Sequence, residues 1–326
     1  MLEAYFDESG THADPREALL ILAGYIADEE EWKTFYTRWK SVLDRFQLPR
    51  FHMKDIQNFR HPLFKHLSAD DRRSLVVALI DAIADTAVLG TLHYMRLHEY
   101  KSVTTPPFRS RYGSAYGMLL TLTLLQLGSV LINPLKQPET IRVFLEAGHA
   151  NANDALRLIK YWQEDTAPAP TEYQGEPVEV VREDPDRTSR LRIADFGLGS
   201  KENMYPLHAA DMLAYLASSA LSFKGDDFLT GLFDTLLPRF THLSTYWDKA
   251  GLEEVVAFVK GGEKEKLALR TEMHELQKYF RSHNVRMSVL PWGYTIDARH
   301  LSEEEWLNAK QNMKAELEAS APRGRK

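Results

Sequence analysis

Three acidic residues stand where their carboxylates could act together on one substrate. Asp7 directly follows a short apolar run in AYFDESGTH, Glu146 directly follows TIRVFL, and Asp211 lies in the apolar segment PLHAADMLAYLASSA. Carboxylates at the ends of neighbouring strands, faced by a third from a packed helix, would form a compact anionic cage. Such a cage binds Mg²⁺ or Mn²⁺ through oxygen and leaves coordination positions open for water and phosphate. Two metal ions held in this way can activate water and stabilise the leaving oxygen of a phosphodiester.

Asp211 is the most informative of the three, because the helix predicted around it is otherwise apolar. It lies within a packing stripe of small and aliphatic side chains, namely Leu207, Ala210, Leu213, Ala214 and Ala217. A helix seldom turns a carboxylate towards its buried face, since an unpaired buried charge is costly. His208 projects from the same side one turn earlier, which makes it a candidate catalytic residue, as a proton shuttle or phosphate contact. The alternatives are that Asp211 satisfies a buried donor and that Asp7 caps a surface loop.

Composition narrows the chemistry that the chain can use. The 326 residues contain no cysteine, which excludes disulfides, thiolate metal sites and cysteine nucleophiles. The 46 acidic residues and 12 histidines leave carboxylate oxygen and imidazole nitrogen as the available ligands. No Walker loop, GxGxxG, GxSxG or HExxH pattern is present. The net charge of -6 gives no overall basic field, so a polyanionic partner must meet a local basic patch.

The order of the predicted elements indicates a mixed α/β sheet flanked by helices rather than a regular doubly wound fold. Strands are predicted over residues 2–6, 18–26, 87–97, 140–145 and 191–196. Helices are predicted to begin after Asp28 and after Ser68, to cover residues 112–132 and 153–163, and to run from Pro206 to residue 222. The piece FHMKDI is expected to be a short extended stretch or turn.

Three segments together resemble a known family. They are AYFDESG with the apolar strand that follows it, the FHMKD piece, and the late helix LHAADMLAYL. In this combination the chain resembles the DUF3800 family, which is similar in fold to the ribonuclease H-like superfamily. The resemblance covers roughly residues 1–222. It implies an RNase H-like sheet whose acidic residues bind a divalent metal ion, a role carried here by Asp7 and Asp211, with Glu146, or Asp154 in its place, at a middle strand.

The chain divides into two predicted parts. Residues 1–225 form an RNase H-like catalytic domain, interrupted at about residues 164–190 by a charged segment with four prolines that we expect to be a mobile insertion. Residues 226–326 form a helical C-terminal extension, with charged amphipathic helices over residues 264–282 and 302–319. No charged leader with an apolar stretch opens the sequence, and the longest apolar stretch is too polar for a membrane span. We therefore expect a soluble, cytoplasmic protein that does not bind membranes.

Four further residues are candidates for the surroundings of the cage. Glu8 points to the opposite face from Asp7 if the strand continues, so it is either a further metal ligand or a solvated carboxylate. His52 and Asp55 border the cleft in the FH-x-x-D pieces of the family, although a histidine capping a helix start gives the same pattern. His149, in EAGHANAND, either reaches a substrate or belongs to a polar turn.

The leading hypothesis is a divalent-metal-dependent nuclease, a phosphodiesterase that hydrolyses DNA or RNA with Mg²⁺ or Mn²⁺ held by Asp7, Glu146 and Asp211. A rival hypothesis is a noncatalytic RNase H-like module that binds nucleic acid or a partner protein. In that interpretation the C-terminal helices are the docking surface for a partner protein or for a second copy of the chain. A third hypothesis is a nucleotide or small-phosphate hydrolase that uses the same cage.

Overall fold

The computed structural model describes most of the chain, with gaps. It describes residues 1–10, 19–58, 61–86, 89–106, 108–109, 113–135, 140–147, 152–164, 192–221, 227–236, 242–260, 287–290 and 293–296. His149, most of the proline-rich segment and both predicted C-terminal amphipathic helices lie outside these residues.

Strands and helices are interspersed along the chain. The strands are β1 (Leu2–Ser9), β2 (Leu19–Asp28), β3 (Leu89–Arg96), β4 (Thr140–Glu146), β5 (Arg192–Gly199), β6 (His242–Trp247), β7 (Met287–Leu290) and β8 (Gly293–Ile296). The helices are α1 (Glu29–Arg45), α2 (Met53–Gln57), α3 (Ala69–Ala84), α4 (Leu97–Val103), α5 (Ala115–Leu135), α6 (Ala152–Glu164), α7 (Tyr205–Leu221), α8 (Asp227–Leu236) and α9 (Lys249–Lys260).

Within the described residues, six strands form one mixed sheet in the order β5-β4-β1-β2-β3-β6. Strand β2 is antiparallel to both of its neighbours, and the other pairs are parallel. Strands β1 and β4 therefore run side by side in the same direction and end at the same edge of the sheet. Strands β7 and β8 form a separate antiparallel pair. The predicted α/β class, with a mixed sheet flanked by helices, is confirmed.

Helices cover both faces of this sheet, because side chains of successive strand residues point to opposite faces. One core lies between the sheet and helices α1, α3, α7 and α8, and contains Trp39, Leu79, Leu213 and Phe233. The other lies between the sheet and helices α4, α5, α6 and α9, and contains Phe6, Leu119, Leu145 and Trp247. No helix among the described residues is both long enough and apolar enough to cross a bilayer.

The predicted starts of two helices are confirmed by their caps. The Asp28 carboxylate accepts hydrogen bonds from the backbone N–H groups of the first turn of α1, and the Glu31 side chain accepts from the Asp28 N–H in return. Ser68 and Asp71 form the same reciprocal pair at the start of α3. Each of these reciprocal pairs, known as capping boxes, satisfies backbone N–H donors at the helix start that no helical carbonyl can reach.

Two predictions about local structure are wrong. The piece FHMKDI is not extended, since residues Met53–Gln57 form the short helix α2. The region from residue 226 is not purely helical, since β6 lies within it and pairs with β3 in the central sheet. Leu243 and Trp247 of β6 lie in one core and Tyr246 lies in the other, so the strand shows no polar alternation that would identify it. The boundary proposed at residue 225 stays a prediction.

Candidate active site

Strand register brings the first two carboxylates together. In the parallel pair β1–β4, Phe6 lies opposite Leu145, so the next residues, Asp7 within β1 and Glu146 at the end of β4, lie side by side. Phe6 and Leu145 point into the α5 side of the sheet. By the period of two, Asp7 and Glu146 point to the other face, which is covered by α7.

Helix α7 supplies the third carboxylate. It packs against β1 and β2, and the side of the helix that carries Asp211 is lined by small side chains that allow close approach to the sheet. Asp211 is only 6% exposed. Its Oδ2 accepts a hydrogen bond of 2.7 Å from the backbone N–H of Met53, at the start of α2. The buried carboxylate is therefore fixed by a backbone donor from another element.

All three carboxylates contact one ammonium group. Lys201 Nζ lies 2.8 Å from Asp7 Oδ2, 2.9 Å from Glu146 Oε2 and 2.9 Å from Asp211 Oδ1. Because each of the three oxygens lies within 2.9 Å of Nζ, no two of them can be further apart than twice that value. One or two metal ions can bridge such a span. Asp7, Glu146 and Asp211 therefore converge on a single point, which we call the carboxylate cage.

Lys201 was not anticipated from the sequence. It lies in the turn of residues 201–203 between β5 and α7, and its side chain is 13% exposed. Burial lowers the pKa of its ammonium, but the charges of Asp211, Asp7 and Glu146 outweigh burial and raise that pKa overall. Acids and histidines are the residue types that indicate a metal site, and a lysine is not among them. The signal in the sequence is the position of Lys201, directly between a strand end and the helix of Asp211.

The pKa values of the two buried aspartates of the cage are shifted in opposite directions. Burial raises the pKa of Asp7 well above its usual range, the Lys201 charge opposes this rise, and the charges of Asp211 and Glu146 add to it. Burial also acts to raise the pKa of Asp211, but the hydrogen bond to His52, the Lys201 charge and the Met53 N–H lower it to about 2. The surroundings of Asp211 therefore favour its charged form more than the surroundings of Asp7 do.

A row of three side chains leads away from Asp211 on the side of α2, first His52, then Asp55, then His61. His52 Nε2 lies 3.2 Å from Asp211 Oδ1, and His52 Nδ1 lies 3.5 Å from Asp55 Oδ2. His61 Nε2 lies 3.5 Å from the same Asp55 oxygen. The hydrogen bond to Asp211 raises the pKa of His52, against the opposing effect of burial. His52 and Asp55 thus lie beside the cage, and His61 is a neighbour that the sequence analysis missed.

His208 does not face the cage in the way expected for a proton shuttle. Its Nδ1 accepts a hydrogen bond of 3.2 Å from the Trp39 indole N–H, so Nε2 carries the ring proton and donates it to the Lys201 carbonyl. Burial lowers the pKa of His208 to about 4, and the ring is neutral at pH 7. With both nitrogens engaged, His208 holds the backbone of Lys201 instead of exchanging protons with a substrate.

Of the remaining candidates, Glu8 lies beside the cage and Asp154 lies away from it. Glu8 donates its backbone N–H to Asp7 Oδ1 over 2.8 Å, and burial and the Glu146 charge raise the pKa of its carboxyl to about 7, with Lys201 opposing. Asp154, the alternative to Glu146, instead accepts a hydrogen bond of 2.9 Å from the Ser114 N–H near the start of α5.

The donor chemistry of the cage fits Mg²⁺ or Mn²⁺. Its ligands are carboxylate oxygens only, which hard divalent cations prefer, and a positive group already stands at its centre. The oxygens are spaced for an ammonium, however. Mg²⁺ holds its oxygen ligands at about 2.0–2.1 Å. In keeping with this, no set of three or more acidic or histidine side chains in the described part of the chain has ready-made metal-site geometry.

Neither the models of known protein families nor the curated proteins match this chain. The resemblance to the DUF3800 family therefore stays a prediction, carried by the segments quoted above.

Proposed function

We propose that the protein is a divalent-metal-dependent nuclease that hydrolyses phosphodiester bonds in DNA or RNA, with Asp7, Glu146 and Asp211 as ligands of Mg²⁺ or Mn²⁺. The observation that supports this most strongly is the convergence of three carboxylates, from three separate elements, on one cation. Asp7 and Asp211 are almost wholly buried, where like charges destabilise the fold. Such a cluster is more typical of a functional site than of a stabilising one.

Each residue around the cage has a role in this proposal. Metal bound there would supply an activated water and a positive charge for the leaving oxygen. Asp211 is held in place for ligation by the Met53 N–H. The His52 side chain is 33% exposed, and its two ring nitrogens face Asp211 and Asp55, so it would hold Asp211 in place for ligation. Glu8 follows Asp7 within β1, so its side chain points to the opposite face of the sheet, and it would serve a second metal ion rather than the ion in the cage.

The architecture supports the same proposal. A mixed sheet with acidic residues on two neighbouring strands, faced by an acidic residue from a packed helix, is what the resemblance to the DUF3800 family and the RNase H-like superfamily implies. With a net charge of -6, binding of nucleic acid depends on a local surface rather than on the overall field.

A second candidate function is favoured by Lys201. Its ammonium balances part of the charge of the cage without any metal ion. A noncatalytic RNase H-like module that binds nucleic acid or a partner protein could retain the cage in this closed state.

One experiment separates the two candidates. The full chain is incubated with end-labelled single- and double-stranded DNA and RNA, in Mn²⁺, in Mg²⁺ or in EDTA. Glu202→Gln serves as matched control, because this exposed acid lies on the Lys201 turn and pairs with Arg50 outside the cage. Metal-dependent cleavage by both proteins supports the nuclease. Binding of nucleic acid or of Mn²⁺ without cleavage of any substrate would contradict it and favour the noncatalytic module.

A further inference from the structure

Lys201 differs from an ordinary surface lysine. Its ammonium contacts carboxylates from two strands and a helix, and its side chain is 13% exposed. Lys33 and Lys40, by contrast, pair with acids of their own helix and are more than half exposed. Exposed pairs of that kind contribute little to stability, whereas an ammonium enclosed by three carboxylates interacts with all of them in a weakly screened environment.

The cage requires a positive charge in order to fold. Asp7 is 3% exposed and Asp211 is 6% exposed, and Glu146 adds a third negative charge at the same point. Burying a carboxylate without a compensating charge is strongly unfavourable. In the metal-free protein, Lys201 supplies that compensation from within the chain.

An ammonium and a metal ion cannot share this position. Lys201 Nζ contacts one oxygen from each carboxylate, and those oxygens are the ones a metal ion would bind. Because ligands of Mg²⁺ lie at about 2.0–2.1 Å, the carboxylates would close around a point that the ammonium now fills. The ammonium and a metal ion held by the same oxygens would also repel each other strongly, because little water is present to screen their charges.

The backbone of Lys201 is fixed, so only its side chain can move. His208 donates a hydrogen bond to the Lys201 carbonyl, and Trp39 donates to His208 from the core. The N–H groups of Asn203 and Met204 both donate to the Ser200 carbonyl, which closes the turn. Departure of the ammonium therefore needs rotation about side-chain bonds and no rearrangement of the fold.

From these contacts we propose that Lys201 is a built-in competitor of the metal ion: its ammonium occupies the carboxylate cage in the metal-free protein and must swing out before a divalent cation binds. This inference rests on the proposed function for the identity of the cation. It adds a regulatory property of the site, since the competing ammonium weakens metal binding and keeps the cage closed when divalent cations are scarce.

The test compares Mn²⁺ binding to the full-length wild type and to Lys201→Met, which keeps the aliphatic stem and removes the charge. Calorimetric titration is expected to show roughly tenfold tighter Mn²⁺ binding by K201M. Its melting temperature without metal is expected to fall, and to recover at saturating Mn²⁺. Lys40→Met is the matched control, because it removes an exposed lysine that pairs with Asp44 rather than with a carboxylate of the cage, and it should leave Mn²⁺ affinity unchanged.

A second measurement uses the wild type alone, in case K201M does not fold. An amine-acylating reagent is applied with Mn²⁺ or with EDTA, and modification is located by mass spectrometry. Lys201, shielded in the cage, is expected to react slowly in EDTA and several times faster in Mn²⁺, whereas Lys40 reacts equally in both.

The outcomes separate this inference from the proposed function. Equal or weaker Mn²⁺ binding by K201M, or Lys201 acylation that does not respond to Mn²⁺, would overturn the competitor role even if the wild type cleaves nucleic acid. Tighter binding by K201M together with no cleavage by any form would support the competitor role and refute the nuclease. Absence of Mn²⁺ binding by wild type and K201M alike would overturn both.

Discussion

At the scale of single residues, the cage shows what spacing can and cannot predict. Asp7 and Glu146 could be predicted to lie together because each directly follows a predicted apolar strand. Asp211 could be added to them because it interrupts an apolar helical stripe. Lys201 could not be placed in the same way. A lysine has a long flexible stem, so its sequence position constrains the position of its ammonium only weakly. The direction of the His208 ring depended on Trp39, a partner 169 residues away.

Asp211→Asn tests the ligand role most directly. The amide keeps the shape of the carboxylate and can still accept from the Met53 N–H, but it removes the charge that attracts a cation. We expect loss of metal-dependent cleavage and at least roughly tenfold weaker Mn²⁺ binding in a protein that remains folded. Melting temperature and cleavage rate are measured on the same preparation, beside Glu202→Gln.

A different result would assign Asp211 a structural role. In that case Asp211→Asn would change the free energy of unfolding by about 1–3 kcal/mol. Cleavage would then stay proportional to the amount of folded protein. Full activity in a well-folded variant would end the case for Asp211 as a ligand.

At the scale of elements, buried hydrogen bonds hold the α2 region against the site. The Arg72 guanidinium, buried at the start of α3, donates to the carbonyls of Ile56, Asn58 and Phe64. The carbonyls of Ile56 and Asn58 precede His61 in the chain and that of Phe64 follows it. The His61 side chain in turn lies beside Asp55. The sequence predicted α3 and its cap, but a surface-type residue such as arginine gave no sign that it would be buried as a clamp.

Arg72→Met should loosen this segment, because the aliphatic stem remains while the buried carbonyls lose their donors. We expect a loss of about 2–4 kcal/mol in the free energy of unfolding. Faster hydrogen exchange is expected at the described amides between residues 56 and 67. Arg73→Met, at the exposed neighbouring position, is the control. Equal stability of the two variants would show that the clamp is dispensable.

Strand β3 carries a buried histidine that makes stability depend on pH. His93 is fully buried on the α5 side of the sheet, beside Thr245 of β6, and its ring nitrogens have no hydrogen-bond partner within the described structure. Burial lowers the pKa of His93 from 6.5 to about 3. Between these values the unfolded chain takes up a proton that the folded chain does not. Stability from this group is therefore complete above about pH 6.5 and is lost as the pH falls.

His93→Leu should remove this dependence. At pH 4 the unfavourable contribution of the buried ring amounts to about 3 kcal/mol. We expect the variant to lose less stability than the wild type between pH 7 and pH 4, as measured by denaturant unfolding at each pH. His66→Leu, at an exposed histidine, serves for comparison. Parallel pH profiles for wild type and His93→Leu would contradict the argument.

At the scale of the whole molecule, the sheet does not end where the catalytic region was expected to end. Strand β6 pairs with β3, and Trp247 lies fully buried in the core on the α5 side. Helix α8 buries Phe233 in the opposite core. Both cores therefore include residues beyond 225. The order of the predicted elements indicated the α/β class because many elements contribute to it, whereas one short strand without polar alternation could not be recognised.

A fragment of residues 1–225 is consequently expected to be unstable. It would expose the edge of β3 and leave both cores incomplete, and an unpaired buried edge promotes aggregation. We expect the fragment to be insoluble, or to show no cooperative thermal transition by circular dichroism, while the full chain unfolds cooperatively. A soluble fragment with the melting temperature of the full chain would instead support the predicted boundary.

The positions of the cage residues along the chain set an order for its assembly. Asp7 and Glu146 meet once β1 and β4 pair, but Lys201 and Asp211 both belong to a later, continuous segment running from the end of β5 into α7. A chain made from its N-terminus thus has two acidic strand ends and no partner for them until that segment has left the ribosome. The same segment then delivers the third acid and the neutralising amine together, so the nascent protein has no complete cage before most of its sheet exists.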